Sequence, residues 1–307
     1  MSSHETVPPS PTVGIIGLGI MGSAFARHLA AAGVRTLGYD LLPARMDVFD
    51  QRGGHRRPSA RAVAEEADIV ITSLPHERAL NEALLHNEGL VSGGRPGLLV
   101  IETSTLELEA KHKIRARLSE AGLTMLDAPI SGTGSQAESK DITVFASGDR
   151  IDFERAHGIL SHFARSIRYV GEFGAGSKIK YIANLLIAVH TLAVAEALVL
   201  GEKAGLQPGA LIDLLIDSAA TSRMVEVRGP AMVARTYTTP MMKVDVFRKD
   251  LDIITGFIRQ CSCPAPLFNT SVPYFTAAAA QKMGGYDTAA VISVLRQMAG
   301  LSDGQQA

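Results

Sequence analysis

The sequence predicts an α/β domain with a doubly wound, mainly parallel sheet, followed by an all-helical domain that a long helix joins to it. The first observation is that short β-branched apolar runs alternate with helical patterns as far as residue 174, which is typical of a parallel sheet with helices on both faces. The second is that only helical periodicity remains after Gly176. We therefore predict a flexible tail at 1–11, the α/β domain at 12–174 and the helical domain at 175–307.

Composition is that of an ordinary water-soluble protein. Hydrophobic residues make up 46% and charged residues 20%, and the formal net charge is -1, so neither nucleic acid nor a membrane is an expected partner. Cys261 and Cys263 are poorly placed to bridge each other, and free thiols favour a reducing cytoplasm. The N-terminus lacks the apolar stretch of a signal peptide. No cluster has the spacing of metal ligands, so no metal is predicted.

The first strand is predicted at 12–16, and a glycine-rich turn follows it directly. The turn consists of Gly17, Leu18, Gly19, Ile20, Met21 and Gly22. A helix at 23–32 and a second strand at 34–39 come next, and Asp40 stands at the end of that strand. This is the strand–GxGxxG–helix–strand–acid order of a Rossmann-type dinucleotide site, whose glycines let the backbone approach a pyrophosphate at the helix N-terminus. The alternative is a tight turn that holds no ligand.

Asp40 also bears on which dinucleotide binds. A carboxylate at this position accepts hydrogen bonds from both ribose hydroxyls and repels a 2′-phosphate, so the sequence favours NAD as the cofactor. Arg45 is close in the sequence and carries a charge that suits a 2′-phosphate, so NADP stays open as the alternative.

The rest of the α/β domain continues the alternation. Strands are predicted at 69–74, 98–101, 124–128, 142–147 and 167–170, and helices at 43–52, 59–66, 77–86, 106–120 and 152–163, with the helix at 106–120 charged and exposed. Ligands of such sheets bind at the carboxyl ends of the strands. Three strand ends are therefore candidate ligand segments: Leu74-Pro75, Thr103-Ser104-Thr105 and Ser131-Gly132-Thr133.

The long helix is predicted at 179–204, with Lys180 and Asn184 four residues apart on one face. Burial and the positive end of the helix dipole both disfavour a charged amine there, so Lys180 is a candidate proton donor or acceptor. The alternative is a lysine whose amine reaches the solvent. Further helices are predicted at 208–219, 246–260, 267–283 and 287–299.

Four stretches together resemble the β-hydroxyacid dehydrogenase family, the relatives of 3-hydroxyisobutyrate dehydrogenase and tartronate semialdehyde reductase. They are the glycine-rich turn at 17–22, the segment 127–133, the segment 174–180 with Asn184 following, and the segment 247–251, and they occur in the family's order. The resemblance covers nearly all of residues 12–300. It implies an oxidoreductase that transfers a hydride between NAD(P) and a short 3-hydroxy acid or its semialdehyde.

The resemblance also implies roles for individual residues. Lys180 would be the general acid/base, and Asn184 would orient the substrate beside it. The expected substrate-binding residues are Ser131, Gly132, Thr133 and Lys249. The expected cofactor-binding residues are the turn at 17–22, Asp40, Leu74, Pro75, Ser104 and again Lys249, with Asp250 as support. Two positions depart from the family: Thr133 stands where a second glycine is usual, and Glu102 where Asp is common.

Two other functions and an assembly state complete the predictions. Imine reductases share this architecture but commonly carry a different residue at the position of Lys180. A non-catalytic dinucleotide-binding module would not need the Lys180/Asn184 pair. The long helix and the Ala277–Ala280 run have more apolar surface than one small domain covers, which predicts a homodimer or homotetramer built through the helical domain.

Overall fold

The computed structural model describes residues 11–301. The predicted tail before Pro11 and the segment 302–307 lie outside the described residues. The chain divides into two compact units, one up to Lys180 and one from Tyr181 onward. The first unit contains all the named strands and the second is helical, so the predicted fold class is confirmed.

The main sheet of the first unit has six strands, all parallel. They are β1 (Val13–Ile16), β2 (Thr36–Tyr39), β3 (His55–Arg56), β4 (Ile69–Thr72), β5 (Leu99–Glu102) and β6 (Thr124–Asp127). Their order is β3-β2-β1-β4-β5-β6, so the chain extends the sheet to one side of β1 and then, from β4, to the other. The carboxyl ends of β1 and β4 flank this switch point, where doubly wound sheets bind ligands.

A separate small sheet contains β7 (Ile130–Ser131), β8 (Thr143–Ala146) and β9 (Ser166–Tyr169). β7 runs antiparallel and β9 parallel to β8. The alternating pattern predicted one sheet and did not separate these strands. Pro129 accounts for the separation, because it comes two residues after the end of β6 and has no N–H to extend the ladder beyond the bond from the Ala128 amide to the Glu102 carbonyl oxygen.

Helices cover both faces of the main sheet. They are α1 (Ile20–Ala31), α2 (Pro43–Gln51), α3 (Ala60–Glu66), α4 (Glu77–Leu85), α5 (Leu90–Gly93), α6 (Leu108–Glu120), α7 (Gly134–Glu138) and α8 (Arg150–Ser161). The alternation along β4 shows the two faces: Ile69 and Ile71 pack in one hydrophobic cluster and Val70 packs in the other. Burial on both faces explains why these strands are continuous apolar runs.

The second unit contains most of α9 (Ala175–Lys203) and the helices after it. These are α10 (Pro208–Asp217), α11 (Arg223–Ala234), α12 (Val244–Gln260), α13 (Pro266–Ala278) and α14 (Val291–Met298). The sequence prediction missed α11, because Pro230 lies inside it and a proline normally argues against a helix interior. A π turn at Ala279–Met283 ends the predicted helix at 267–283.

α9 begins four residues before its predicted start at Ile179. The glycines around its first turn suggested a loop, but Gly176 is there for packing, since a Cβ atom on it would lie 2.2 Å from the Phe145 carbonyl oxygen. α9 is long and apolar enough to cross a membrane by length and composition, and 44% of its most apolar window is buried. A core helix of a water-soluble protein has the same properties.

Candidate active site

The glycine-rich turn between β1 and α1 forms a backbone cradle. Gly17 has a φ of +93°, which favours glycine, and a Cβ atom on Gly22 would lie 1.9 Å from the Gly17 carbonyl oxygen. Beside Gly19, by contrast, the nearest atom to such a Cβ is the Arg45 guanidinium at 4.0 Å, so space remains there for a ligand. The first-turn amides of α1 have no intrahelical acceptor. The residues present therefore fit a dinucleotide pyrophosphate at this turn.

Asp40 is tied to the same turn. Its Oδ2 accepts hydrogen bonds from the Leu18 amide at 2.8 Å and from Arg45 at 3.1 Å, and its Oδ1 accepts one from the Leu42 amide at 2.9 Å. Asp40, the predicted ribose acceptor, and Arg45, the residue that left NADP open as an alternative cofactor, thus form an ion pair. A ribose hydroxyl bound here would share a carboxylate that already orders the phosphate turn.

Two predicted nicotinamide-side residues lie together at the ends of neighbouring strands. The Leu74 amide, just after β4, donates a hydrogen bond to Ser104 Oγ, just after β5, at 2.9 Å. Ser104 is buried, and its own amide donates to the Glu102 carboxylate at 3.0 Å. Pro75 follows Leu74 directly, so the hydrogen bond between Leu74 and Ser104 fixes the position of the predicted Leu74-Pro75 turn.

The segment after β7 packs on the cofactor helix. Thr133, which replaces the family's usual glycine, is the N-cap of α7, and its hydroxyl and backbone N–H form a capping box with Gln136. The added hydroxyl is therefore used locally to start a helix. A Cβ atom on Gly134 would lie 2.4 Å from the Ile20 side chain, and buried His28 of α1 bonds the Ala137 carbonyl oxygen at 2.9 Å. The candidate carboxylate-binding segment and the candidate phosphate-binding helix thus share contacts.

The candidate catalytic residues are buried polar groups on α9. Lys180 is 5% exposed and Asn184 is 1% exposed, one turn apart on the same helix. Within the helical unit, Asn184 Nδ2 donates to Asp250 Oδ2 at 2.9 Å, and Lys249 Nζ lies 3.2 Å from Asp250 Oδ1. Two residues named by the family resemblance, Asn184 and Lys249, therefore both contact the carboxylate of a third, Asp250.

A fully buried ion cluster in the first unit was not predicted. Lys111 of α6 places its amine 2.8 Å from Asp127 Oδ1 and 2.9 Å from Glu102 Oε2, at the carboxyl ends of β6 and β5. The prediction of an exposed helix at 106–120 is wrong at this position. The signal was present in the sequence: the buried positions of α6 are Ala110, Lys111, Ile114 and Leu118, and this spacing puts the lysine on the apolar face.

The amine of Lys111 stays charged despite its burial. Burial by itself would lower the pKa of Lys111, but the carboxylates of Asp127 and Glu102 outweigh it and hold that pKa above its ordinary value. A positive charge is therefore paired with two acidic side chains at the sheet edge where ligands of this fold bind.

Two family models together match almost the whole described chain. The NAD-binding domain of 6-phosphogluconate dehydrogenase matches residues 12–171, and the NAD-binding domain of NADP-dependent 3-hydroxyisobutyrate dehydrogenase matches residues 174–295. The L-threonate dehydrogenase of Cupriavidus necator is 35% identical over 93% of this chain and 96% of its own. The chain belongs to the β-hydroxyacid dehydrogenase family.

Other members of the β-hydroxyacid dehydrogenase family extend this comparison. The 2-(hydroxymethyl)glutarate dehydrogenase of Eubacterium barkeri is 29% identical over 94% of this chain and 96% of its own. The crystal structure of 3-hydroxyisobutyrate dehydrogenase from Salmonella typhimurium has a TM-score of 0.84 at 33% identity and covers 93% of this chain and 100% of that one. This protein is accordingly an NAD(P)-dependent dehydrogenase, and the family resemblance found in the sequence is confirmed.

The fold extends beyond the β-hydroxyacid dehydrogenase family. An imine reductase from Pseudomonas sp. has a TM-score of 0.59 at 19% identity and covers 94% of this chain and 100% of that one. At this identity the likeness concerns the fold alone. The family models and the more identical relatives favour a hydroxy acid dehydrogenase over the imine reductase alternative.

Proposed function

We propose that the enzyme transfers a hydride between NAD and a short 3-hydroxy acid or its semialdehyde, with Lys180 as the general acid/base. The observation that carries this proposal is the burial of Lys180 at the start of α9, one turn before the buried amide of Asn184. Both stand in the family's lysine and asparagine positions. An amine withdrawn from water is suited to exchange a proton with a substrate hydroxyl.

In the proposed chemistry the alcohol loses two hydrogens, one from carbon as a hydride and one from the hydroxyl as a proton. When bound, the nicotinamide accepts the hydride from the carbon or returns it. Lys180 takes the hydroxyl proton as a neutral amine during oxidation and gives it back as an ammonium during reduction. Asn184 stays neutral, and it can donate to and accept from the substrate oxygen.

Ser131, Gly132 and Thr133 are proposed to bind the substrate carboxylate. Ser131 is half-buried at the end of β7, and its hydroxyl and the following backbone amides are donors of the kind that bind anions. Because the Thr133 hydroxyl already caps α7, we assign the anion to the backbone and to Ser131. Lys249 is proposed to add positive charge from the helical unit, together with a role on the cofactor side.

A substrate panel tests this function. Purified enzyme is assayed with NAD and NADP against L-threonate, 3-hydroxyisobutyrate, 2-(hydroxymethyl)glutarate and a cyclic imine, following nicotinamide absorbance. Turnover of at least one hydroxy acid supports the proposal. Reduction of the imine alone would favour the imine reductase alternative, and tight NAD binding without any hydride transfer would favour the non-catalytic module.

Asp40→Asn is expected to raise the NADP-to-NAD ratio of kcat/KM by about tenfold or more. The substitution keeps an acceptor for the Leu18 amide but removes the charge that repels a 2′-phosphate, a repulsion worth about 1 to 4 kcal/mol at ~4 Å. Arg45, released from its ion pair, becomes available to the phosphate. Asp47→Asn, on the exposed face of α2, is the control. An unchanged ratio would show that Asp40 does not contact the ribose.

We further propose that the protein is a cytoplasmic homo-oligomer assembled through α9. Ile182, Leu186 and Leu200 are each about half exposed or more, and their spacing puts them on one stripe of that helix. An apolar stripe of this kind in a water-soluble enzyme is typical of a symmetric interface between two copies.

Leu186→Glu is expected to shift the protein from dimer or tetramer toward monomer in multi-angle light scattering, because it buries a charge in the proposed interface. Ile151→Glu, which changes a more exposed apolar residue on α8, is the control and is expected to leave the mass unchanged. A wild-type monomer at micromolar concentration would contradict the assembly proposal.

A further inference from the structure

The buried cluster around Lys111 joins three segments of the first unit. Besides Asp127 and Glu102, the Lys111 amine donates to the Ser104 carbonyl oxygen at 2.7 Å, so all three of its N–H groups have acceptors. Lys111 and both carboxylates are completely buried. A cluster with one cation and two carboxylates is costly to bury, and apolar side chains of similar volume often stabilise a fold equally well. The cluster is therefore better explained by the segments that it connects than by its net contribution to folding stability.

One side of the cluster holds the first turn of α9. Asp127 Oδ2 accepts from the Ser177 amide at 2.8 Å, and Asp127 Oδ1 accepts from the Ser177 hydroxyl at 2.7 Å. The Gly176 amide donates to Ser147 Oγ at 3.0 Å. Two of the donors that every helix start leaves unsatisfied are thus bound by the ends of β6 and β8, and the carboxylate lies where the helix dipole favours it.

The other side of the cluster holds the turn after β4. Glu102 accepts from the Ser104 amide, and Ser104 Oγ in turn accepts from the Leu74 amide. The chain of contacts from Leu74 to Ser177 is therefore continuous through Ser104 and Lys111. This chain of contacts begins at Leu74, a proposed nicotinamide-side residue, and ends at the first turn of α9, which carries Lys180.

We propose that Lys111 and Ser177 are positioning residues for Lys180. The proposal rests on the proposed function of Lys180 as the acid/base. Lys180 is three residues after Ser177, a rise of about 4.5 Å along α9, so a small rotation or tilt of the first turn moves the amine directly. A misplacement of about 1 Å at a reacting group lowers the rate by about 100-fold. The buried cluster holds the first turn of α9 against the strand ends and so determines the position of the Lys180 amine.

Ser177→Ala is the primary test, because it removes the hydroxyl that donates to Asp127 and otherwise changes the helix little. We expect kcat for the best acid of the substrate panel to fall about 10- to 100-fold, with the Kd for NAD unchanged. Hydrogen exchange should also become faster for the backbone amides of residues 176–180. Ser271→Ala, which removes an equally buried helix hydroxyl from α13, is the matched control and should do neither.

A double-mutant cycle separates positioning from a general structural effect. If Ser177 acts through the amine, Ser177→Ala in the Lys180→Met background should change the residual turnover by less than about threefold. Effects that multiply in the double variant would overturn the proposal, as would a Ser177→Ala variant with the same kcat and exchange rates as Ser271→Ala. Lys111→Met, assayed at a temperature at which circular dichroism shows it to be folded, should show the same loss in kcat as Ser177→Ala. Full turnover by Lys180→Met alone would instead refute the acid/base assignment itself.

Discussion

Lys180→Met is expected to lower kcat by about 100- to 10,000-fold while the Kd for NAD stays unchanged. This is the range that a positioned general acid/base contributes. Methionine keeps the length and apolar stem of the side chain, so it fills most of the buried volume that Lys180 occupies while removing the amine. Steady-state kinetics together with fluorescence titration of NAD measure the two quantities.

Lys178→Met is the matched control for this experiment. Lys178 lies on the same helix, two residues earlier, and is exposed, so its loss should leave kcat within about twofold of the wild type. A Lys180→Met variant that retains most of its turnover would show that another group exchanges the substrate proton. Equal losses in both variants would point to a general effect on α9.

Lys111→Met is expected to cost about 3 to 5 kcal/mol of unfolding free energy, the largest stability effect that we predict for a single residue. The substitution leaves Glu102 and Asp127 buried without their cation, and an uncompensated buried charge is what makes breaking such pairs costly. Urea unfolding followed by circular dichroism gives the difference. Lys113→Met, at an exposed position of the same helix, should change the stability by less than about 0.5 kcal/mol.

The pH dependence of this difference follows from the direction of the pKa shift. The pKa of Lys111 is raised in the folded protein, so its stabilisation is fully present below the ordinary lysine pKa of about 10.4 and is lost as the pH rises through the folded value. The contribution of the Lys111 charge to the gap between wild type and Lys111→Met should therefore not diminish as the pH rises from about 6 to 9. A gap that narrows as the pH rises within this range would contradict the charged, paired lysine.

The main features that local patterns encode were predictable from the sequence. The strand–turn–helix order around Gly17 and Gly22 needs only neighbouring residues, and the structure shows the same order with the expected backbone cradle. For Lys180 the helical run left a buried amine and a solvent-reaching amine both open, and the structure shows the buried one. The roles assigned to individual site residues stay predictions, because they depend on a substrate.

Sequence reasoning missed one feature that depends on distant segments and one that is local. Lys111 was predicted as exposed because a lysine in a charged helix normally is, and only the strand ends that carry Asp127 and Glu102 make its burial possible. Thr133 was noted only as a departure from the family's glycine, and the sequence prediction did not include the short helix that its hydroxyl caps. Here the missed signal was local, because Thr133 and Gln136 have the spacing of a capping box.

The attachment of α9 to the ends of β6 and β8 has a consequence for protein engineering. Every hydrogen bond described for its first turn comes from residues before Lys180, namely Asp127 and Ser147. A chimaera that keeps this N-terminal portion and takes the helices after α9 from a relative would therefore retain the contacts that hold the first turn of α9. The proposed carboxylate-binding residues Ser131, Gly132 and Thr133 would stay with the recipient too, so any change in substrate preference would report on the exchanged helices alone.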